Sequence, residues 1–241
     1  MTGAGEKRGG SERIDAGYYD RSPYFEAGAG HLTDLESAFQ RYRIEKVLGI
    51  YDPAPEERVL DLGCGWGTFE WVLAPRVAEV VGVDFSAKSV ELCERRRTAL
   101  GLTNVRFVHA DAGATGQLAD SFDLVIAADL FEHVYPDDSA RVMAEARRVL
   151  KRGGLFCIWT PHRGHLIEVL KNRGILLRRD PTHVDYKSME RLKQLLAKER
   201  FVLEKAYYAE SHLPVLKEVE QALMRAVPPL RRRIAVLGRK T

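Results

Sequence analysis

Val59-Leu60-Asp61-Leu62-Gly63-Cys64-Gly65-Trp66-Gly67 is an apolar run that passes without interruption into three glycines at alternate positions. The first four residues read as a short buried strand, and the glycines as a tight turn into a following helix. Glycine tolerates the backbone such a turn requires, and it lets the loop come close to a ligand at the carboxyl ends of the strands. Asp84 closes the next apolar stretch, 21 positions after Gly63. There a carboxylate can accept two hydrogen bonds from ribose hydroxyls. A dinucleotide fingerprint would place a third glycine at position 68, which holds Thr68, and no Gly-Lys-Ser/Thr ending offers a triphosphate cradle. Loop and acid together point to an adenosine ligand other than NAD or a nucleoside triphosphate.

On either side of this stretch, short apolar segments alternate with amphipathic ones from Arg58 onward. Strands are predicted at 59–62, 80–84, 105–109, 124–127, 155–160, 202–208 and 234–238. Helices are predicted from about Ser86, a natural cap, to a stop at Gly101, and from Ser139 to Leu150, with Val142, Ala146, Val149 and Leu150 on one face. The pattern predicts an α/β fold, a doubly wound and mostly parallel sheet of seven strands. Residues 1–17 hold five glycines and no apolar period, and are expected to form a disordered tail without catalytic groups. Leu35, Phe39, Tyr42, Val47 and Ile50 recur at near-helical spacing, so 18–57 reads as a helical lead-in or lid. The remainder, 58–241, reads as one domain with an insertion at about 162–187.

Composition sets outer limits. With 241 residues, 45% hydrophobic and 29% charged, the chain can bury a full core. Its 37 cationic and 34 acidic side chains leave a net charge of +3, which gives no ground for expecting a nucleic-acid partner. Three cysteines without paired spacing support neither a disulfide framework nor a zinc ribbon, and fit a reducing cytoplasm. No apolar run reaches the roughly 20 residues a bilayer crossing requires, and the first residues lack a signal-peptide core. The expectation is a cytoplasmic protein that is neither exported nor membrane-spanning.

The segments VLDLGCGWG, VVGVDFS, FVHADAG, SFDLVIAADLFEHV and LKRGGLFCIWTP, in this order from Val59 to Pro161, resemble class I S-adenosylmethionine-dependent methyltransferases. The resemblance implies that Asp61 and the loop Gly63, Cys64, Gly65, Trp66 and Gly67 hold the amino-acid part of S-adenosyl-L-methionine. It also implies that Asp84 meets the ribose and Asp111 the adenine, and their neighbours Phe85 and Ala112 join the donor-binding set. S-adenosyl-L-homocysteine would be the product. The donor carries a sulfonium rather than phosphates, and the loop region accordingly offers carboxylates and no lysine. Arg43, like Arg41 on the lead-in helix, has a guanidinium fork suited to the donor's carboxylate, and Arg43 and Asp129 complete the set; solvated surface arginines are the plainer account of both.

Methyl transfer needs alignment, exclusion of water and a deprotonated acceptor, so an acceptor site needs a base or a metal. Asp129-Leu130-Phe131-Glu132-His133 offers both if its i, i+3 and i+4 positions share one face of a turn past the fourth strand. With His183, this cluster resembles the metal-binding sites of ubiquinone-biosynthesis O-methyltransferases and small-RNA 2′-O-methyltransferases. The former are also similar in the opening Tyr18-Tyr19-Asp20. By that resemblance Asp129, Glu132, His133 and His183 are ligands to Mg2+ or another divalent cation, with Glu132, His133 and His183 catalytic. The alternatives are a metal-free His133 or His183 base, and a pair that only caps the turn. His162 and His165 follow the fifth strand as secondary candidates.

The expected reaction is O-methylation of a small or lipid-like acceptor. A metal-free C- or N-methyltransferase, or an RNA methyltransferase, is the alternative. Residues 166–179 mix leucines and isoleucines with cations, and 225–241 carry Arg225, Arg231, Arg232, Arg233, Arg239 and Lys240 without an acid. The first reads as a lid or an interfacial anchor, and the second as a contact for anionic lipid headgroups or RNA phosphates, or as solvated charge. Oligomeric state is left open by the sequence.

Overall fold

The computed structural model describes residues 13–21, 33–175, 180–211 and 214–241. Strand β1 (Arg58–Leu62) is buried from Val59 onward because it lies between β2 (Glu79–Asp84) and β4 (Phe122–Ala128), parallel to both. Outside β2 lies β3 (Val105–His109), and β5 (Leu150–Pro161) pairs in parallel with β4. The remaining strands, β6 (Phe201–Ala209) and β7 (Arg233–Lys240), complete the order β3-β2-β1-β4-β5-β7-β6. Only β7 runs against its neighbours. All seven predicted strands are present and the sheet is mostly parallel, as expected. Chain order reverses between β1 and β4, so their carboxyl ends part to open a crevice.

Alternate residues of the strands feed two apolar layers. On one face Val59, Val80, Leu124 and Cys157 pack with Phe69, Leu73, Tyr42 and Ile50. On the other, Leu60, Val81, Val125 and Phe156 pack with Val142, Ala146, Leu192 and Leu196. Each fully buried aliphatic or aromatic side chain contributes about 1.5–3 kcal/mol. All three cysteines are free and buried. Among the described residues no helix is long and apolar enough to cross a membrane.

The helices in the first half of the chain are set by local chemistry. Of the predicted lead-in residues, α2 (Ala38–Ile50) buries Tyr42, Val47 and Ile50, and Ser37 caps it by accepting from the Gln40 N–H. After the glycine loop comes the short α3 (Thr68–Leu73). Helix α4 (Ala87–Ala99) is capped by Ser86, which accepts from the Ser89 N–H, as its sequence predicts. Helix α5 (Pro136–Val149) starts three residues before the predicted Ser139. Pro136 carries no N–H to leave unsatisfied and presets φ, while Asp137 and Asp138 suit the positive end of the helix dipole.

The second half follows the same logic. The predicted insertion contributes α6 (Leu166–Asn172), though 176–179 lie outside the described residues. Helix α7 (Met189–Lys198), capped by Ser188, covers the sheet, and α8 (Pro214–Leu223) precedes β7. Within the basic segment 225–241, Arg231 donates to the carbonyls of Met224 and Arg225, Arg233 pairs with Asp129, Arg239 with Glu204 and Lys240 with Asp120.

One expectation about the start of the chain needs correction. Residues 1–12 of the predicted tail lie outside the described residues, but helix α1 (Ala16–Arg21) begins inside it. Asp15 accepts from the Tyr18 N–H at 2.8 Å and caps that helix, while the Ile14 N–H donates to the Tyr135 hydroxyl at 2.9 Å.

Gly82 in β2 is a packing requirement. A Cβ there would stand 2.4 Å from Glu70 Oε1, 2.8 Å from Phe107 and 2.9 Å from the Cβ of Cys64. Gly82→Ala is therefore expected to cost about 1–3 kcal/mol of stability by overpacking. A urea melt checks this, and an unchanged midpoint would contradict it.

Candidate active site

A cavity of about 960 Å³ opens at the crevice. One end of its wall runs from Asp111 and Ala112 past Phe85 and Asp84 to Gly63, Cys64, Gly65 and Trp66. The other end is formed by Asp129, Glu132, His133, His183 and the cationic side chains of Arg43, Arg232 and Arg233. Such a volume lies at the upper end of the ~300–1,000 Å³ usual for ligand pockets.

The glycine loop is built to stay in place. Gly63, Gly65 and Gly67 have φ of 73°, 51° and 73°, the left-handed region that side chains other than glycine rarely adopt. Both Gly63 and Cys64 donate backbone N–H bonds to the Val83 carbonyl, at 2.8 and 3.1 Å. The Gly65 N–H donates to Asp84 Oδ2 at 2.9 Å, and the Gly65 carbonyl accepts from the Ser89 hydroxyl and the Cys93 thiol. Asp84 Oδ1 accepts from the Ser86 N–H at 2.9 Å. Burial pushes the Asp84 carboxyl up, and these two N–H bonds oppose it. Asp84 thus ties the loop to the start of α4 and still lines the cavity.

Below the loop the wall is acidic. Asp61 is only 2% exposed and sits under the loop, not in the cavity wall. Among the described residues its Oδ1 has no hydrogen-bond partner, nor does either oxygen of the fully buried Glu70. Burial raises both carboxyls; Asp84 and Asp129 push Asp61 up against the pull of Arg43, and Asp61 in turn raises Glu70. Asp111 is exposed at the far end, accepting from the Gly113 N–H and pairing with Arg141 at 3.0 Å.

At the other end, Glu132, His133 and His183 bring one ligand atom each to within 4.8 Å of one another. The two histidines have fixed tautomers. His133 Nδ1 lies 3.0 Å from the Thr182 carbonyl, which can only accept, and 2.9 Å from the Tyr19 hydroxyl. Nδ1 therefore carries a proton. The Tyr186 hydroxyl donates to Glu168 Oε2 at 2.8 Å, so it accepts from His183 Nδ1 at 2.5 Å, leaving Nε2 unprotonated. Burial, then the charge of His133, lowers the His183 pKa to about 4. Glu132 Oε2 accepts from the Thr160 hydroxyl at 2.9 Å, and burial followed by Asp129 raises its carboxyl.

The two segments are stapled together. Val184 and Asp185 donate backbone N–H bonds to the Glu132 carbonyl at 2.9 and 3.2 Å. The buried ammonium of Lys187 donates to the carbonyls of Phe131 and Val134 and pairs with Asp185 at 2.8 Å. Over this site lies α1, whose Tyr19 ring stacks edge-on against both Phe85 and His133. Its Asp20 accepts from the Ser86 hydroxyl at 2.5 Å.

Asp129 does not join the cluster, a correction to the four-ligand expectation. Its φ of 58° breaks the turn, so Asp129 leaves the face that carries Glu132 and His133. Its carboxylate pairs with Arg43 Nε at 2.7 Å and with Arg233 Nη1. Burial alone would raise it, but these two cations hold it below the usual carboxylate range. In turn Arg43 gives Nε to Asp129 and Nη2 to the Ala128 carbonyl, so most of the fork expected for the donor is committed within the protein.

The secondary histidines do not line the cavity: His162 Nδ1 meets the Arg231 carbonyl at 3.0 Å, and His165 is buried with its Nδ1 unpartnered among the described residues. The contributions of Tyr19, Glu168, Tyr186 and Lys187 were missed in the sequence. The Tyr18-Tyr19-Asp20 opening was the only available signal for any of them.

A family model described as a methyltransferase domain matches residues 59–154. The chain is 31% identical over 170 residues to the uncharacterized methyltransferase YcgJ of Bacillus subtilis, covering 65% of this chain and 66% of that one. The crystal structure of YcgJ superposes with a TM-score of 0.65 at 22% identity, covering 83% and 98% of the two chains. The chain belongs to the class I S-adenosylmethionine-dependent methyltransferases. A ubiquinone biosynthesis O-methyltransferase of Paracidovorax citrulli is 33% identical over 129 residues, 51% of this methyltransferase-family chain and 54% of its own. Among the first curated relatives, the chain spans from a fifth to two thirds of their length. The fold agrees with this family. The close backbone of the glycine loop is a feature that the amino-acid part of such a donor would fit.

Proposed function

We propose that this chain transfers the methyl group of S-adenosylmethionine to the hydroxyl oxygen of a small or lipid-like acceptor, with a divalent cation held by Glu132, His133 and His183. The observation that carries this reading is the convergence of Glu132, His133 and His183, one ligand atom from each within 4.8 Å of the others, in the cavity that the glycine loop also lines. The acceptor oxygen bonds to the methyl carbon, the carbon–sulfur bond breaks, and S-adenosylhomocysteine leaves as the acceptor proton is lost. Bound there, a divalent cation would lower the pKa of an acceptor hydroxyl.

The chain's own residues orient and exclude. Asp84 meets the ribose, the glycine loop approaches the amino-acid part, and Asp111 marks the adenine end. His133 and His183 are held in their tautomers by Thr182 and by the Tyr186–Glu168 pair. Tyr19 spans the boundary between the two halves and shields it from water. With Asp129 committed to arginines, two imidazoles and one carboxylate remain. That set suits manganese or zinc better than the all-oxygen preference of magnesium. The role of one relative in ubiquinone biosynthesis O-methylation supports an oxygen acceptor.

Manganese titrated calorimetrically into protein saturated with S-adenosylhomocysteine is expected to bind, and Tyr186→Phe to weaken it by about 10- to 100-fold through loss of histidine orientation. Absence of binding to the wild type would contradict the metal reading and leave His133 or His183 as a base, with carbon or nitrogen as the acceptor atom.

A further inference from the structure

Three arginines line the acceptor end of the cavity: Arg43, Arg232 and Arg233. The first and third are committed to Asp129. The half-buried Arg232 differs from both: its guanidinium has no hydrogen-bond or ion-pair partner among the described residues. Its backbone is nonetheless firmly held, since the Arg232 N–H donates to the Ala209 carbonyl at 3.1 Å and the Arg232 carbonyl accepts from the His162 N–H at 2.9 Å. The side chain is therefore presented to the cavity from the rigid mouth of the sheet, next to a second, neutralised guanidinium. Tyr42, Glu220 and Glu168 favour the Arg232 cation through space, and the Glu168 carboxylate also accepts from the Tyr186 hydroxyl.

A cation withdrawn from water without a partner is costly, and a planar fork of N–H donors is the group best matched to a carboxylate or phosphate. We propose that Arg232 binds an anionic group on the methyl acceptor, so that the substrate is a hydroxyl compound bearing a carboxylate or phosphate. This rests on the methyltransferase reading above. The oxyanion sits on Arg232 while the hydroxyl faces Glu132, His133 and His183, which lie along the same wall. A two-point hold of this kind fixes the acceptor oxygen against the donor methyl, where a hydroxyl alone would leave the acceptor free to turn.

The test is calorimetric, on wild type, Arg232→Gln and Arg232→Lys. S-adenosylhomocysteine is titrated first. Then 3,4-dihydroxybenzoate, catechol, phenyl phosphate and phenol are each titrated into the S-adenosylhomocysteine complex. The wild type is expected to bind at least one anionic probe about tenfold or more tighter than its neutral counterpart, as a charge-assisted bidentate bond provides. Which pair shows the preference distinguishes carboxylate from phosphate. The preference should vanish in Arg232→Gln and survive in part in Arg232→Lys, with S-adenosylhomocysteine bound equally by all three proteins.

Equal affinity for anionic and neutral probes, a preference that persists in Arg232→Gln, or no binding of either anion to the complex would overturn the proposal. So would a tenfold loss of S-adenosylhomocysteine affinity in Arg232→Gln, which would assign the guanidinium to the donor's own carboxylate. Failure of the wild type to bind S-adenosylhomocysteine would instead overturn the methyltransferase reading beneath it.

Discussion

Asp84→Ala is expected to weaken S-adenosylhomocysteine binding by about 100-fold or more, measured calorimetrically against wild type. Two losses combine. The carboxylate that would accept from the ribose hydroxyls is removed, and charge-assisted bonds of this kind are worth about 1.5–3 kcal/mol. The same carboxylate accepts from the Gly65 and Ser86 N–H groups, so its removal also frees the glycine loop from the start of α4. Asp84→Asn keeps one acceptor oxygen and should fall between the two. Affinity within a few-fold of wild type in Asp84→Ala would place the nucleoside elsewhere in the cavity.

Glu132→Ala is expected to leave S-adenosylhomocysteine binding within about twofold of wild type while reducing turnover by about 10²–10⁴-fold, the range seen when a positioned acid–base or activating group is lost. The separation follows from geometry. Glu132 lies at the acceptor end, its only side-chain hydrogen bond among the described residues is with Thr160, and the donor loop makes no contact through it. Its backbone carbonyl, which receives the Val184 and Asp185 N–H groups, is kept in the alanine variant, so His183 stays near its place. Turnover is read as labelled methyl passed from S-adenosylmethionine to 3,4-dihydroxybenzoate. Normal turnover would remove Glu132 from the chemistry.

The geometry of the glycine loop and Asp84 was legible in the sequence because it is local. Strand, glycine turn and Asp84 lie within a single β–α–β unit, where spacing dictates position, and all seven strands follow from apolar periodicity alone. The acceptor half depends on contacts between distant segments. Asp129 reads as a ligand because D-x-x-E-H suggests one helical face. What removes it is a left-handed φ together with Arg43 from α2 and Arg233 from β7, 86 and 104 residues away along the chain. Likewise the tautomers of His133 and His183 are set by Thr182, Tyr186 and Glu168, and no periodicity marks those residues. The start of α1 was hidden for another reason: Asp15 is an effective cap, but it lies in a glycine-rich, polar stretch where apolar spacing provides no helical signal.

A crystal structure of the protein grown with S-adenosylhomocysteine and manganese, with diffraction recorded at the manganese absorption edge, tests the central claim that donor and acceptor-activating sites share one cavity. The account predicts the ribose against Asp84, the adenine toward Asp111, and a single anomalous peak between Glu132, His133 and His183. Nucleoside density away from Asp84, or bound S-adenosylhomocysteine with no anomalous peak at those three residues, would contradict it.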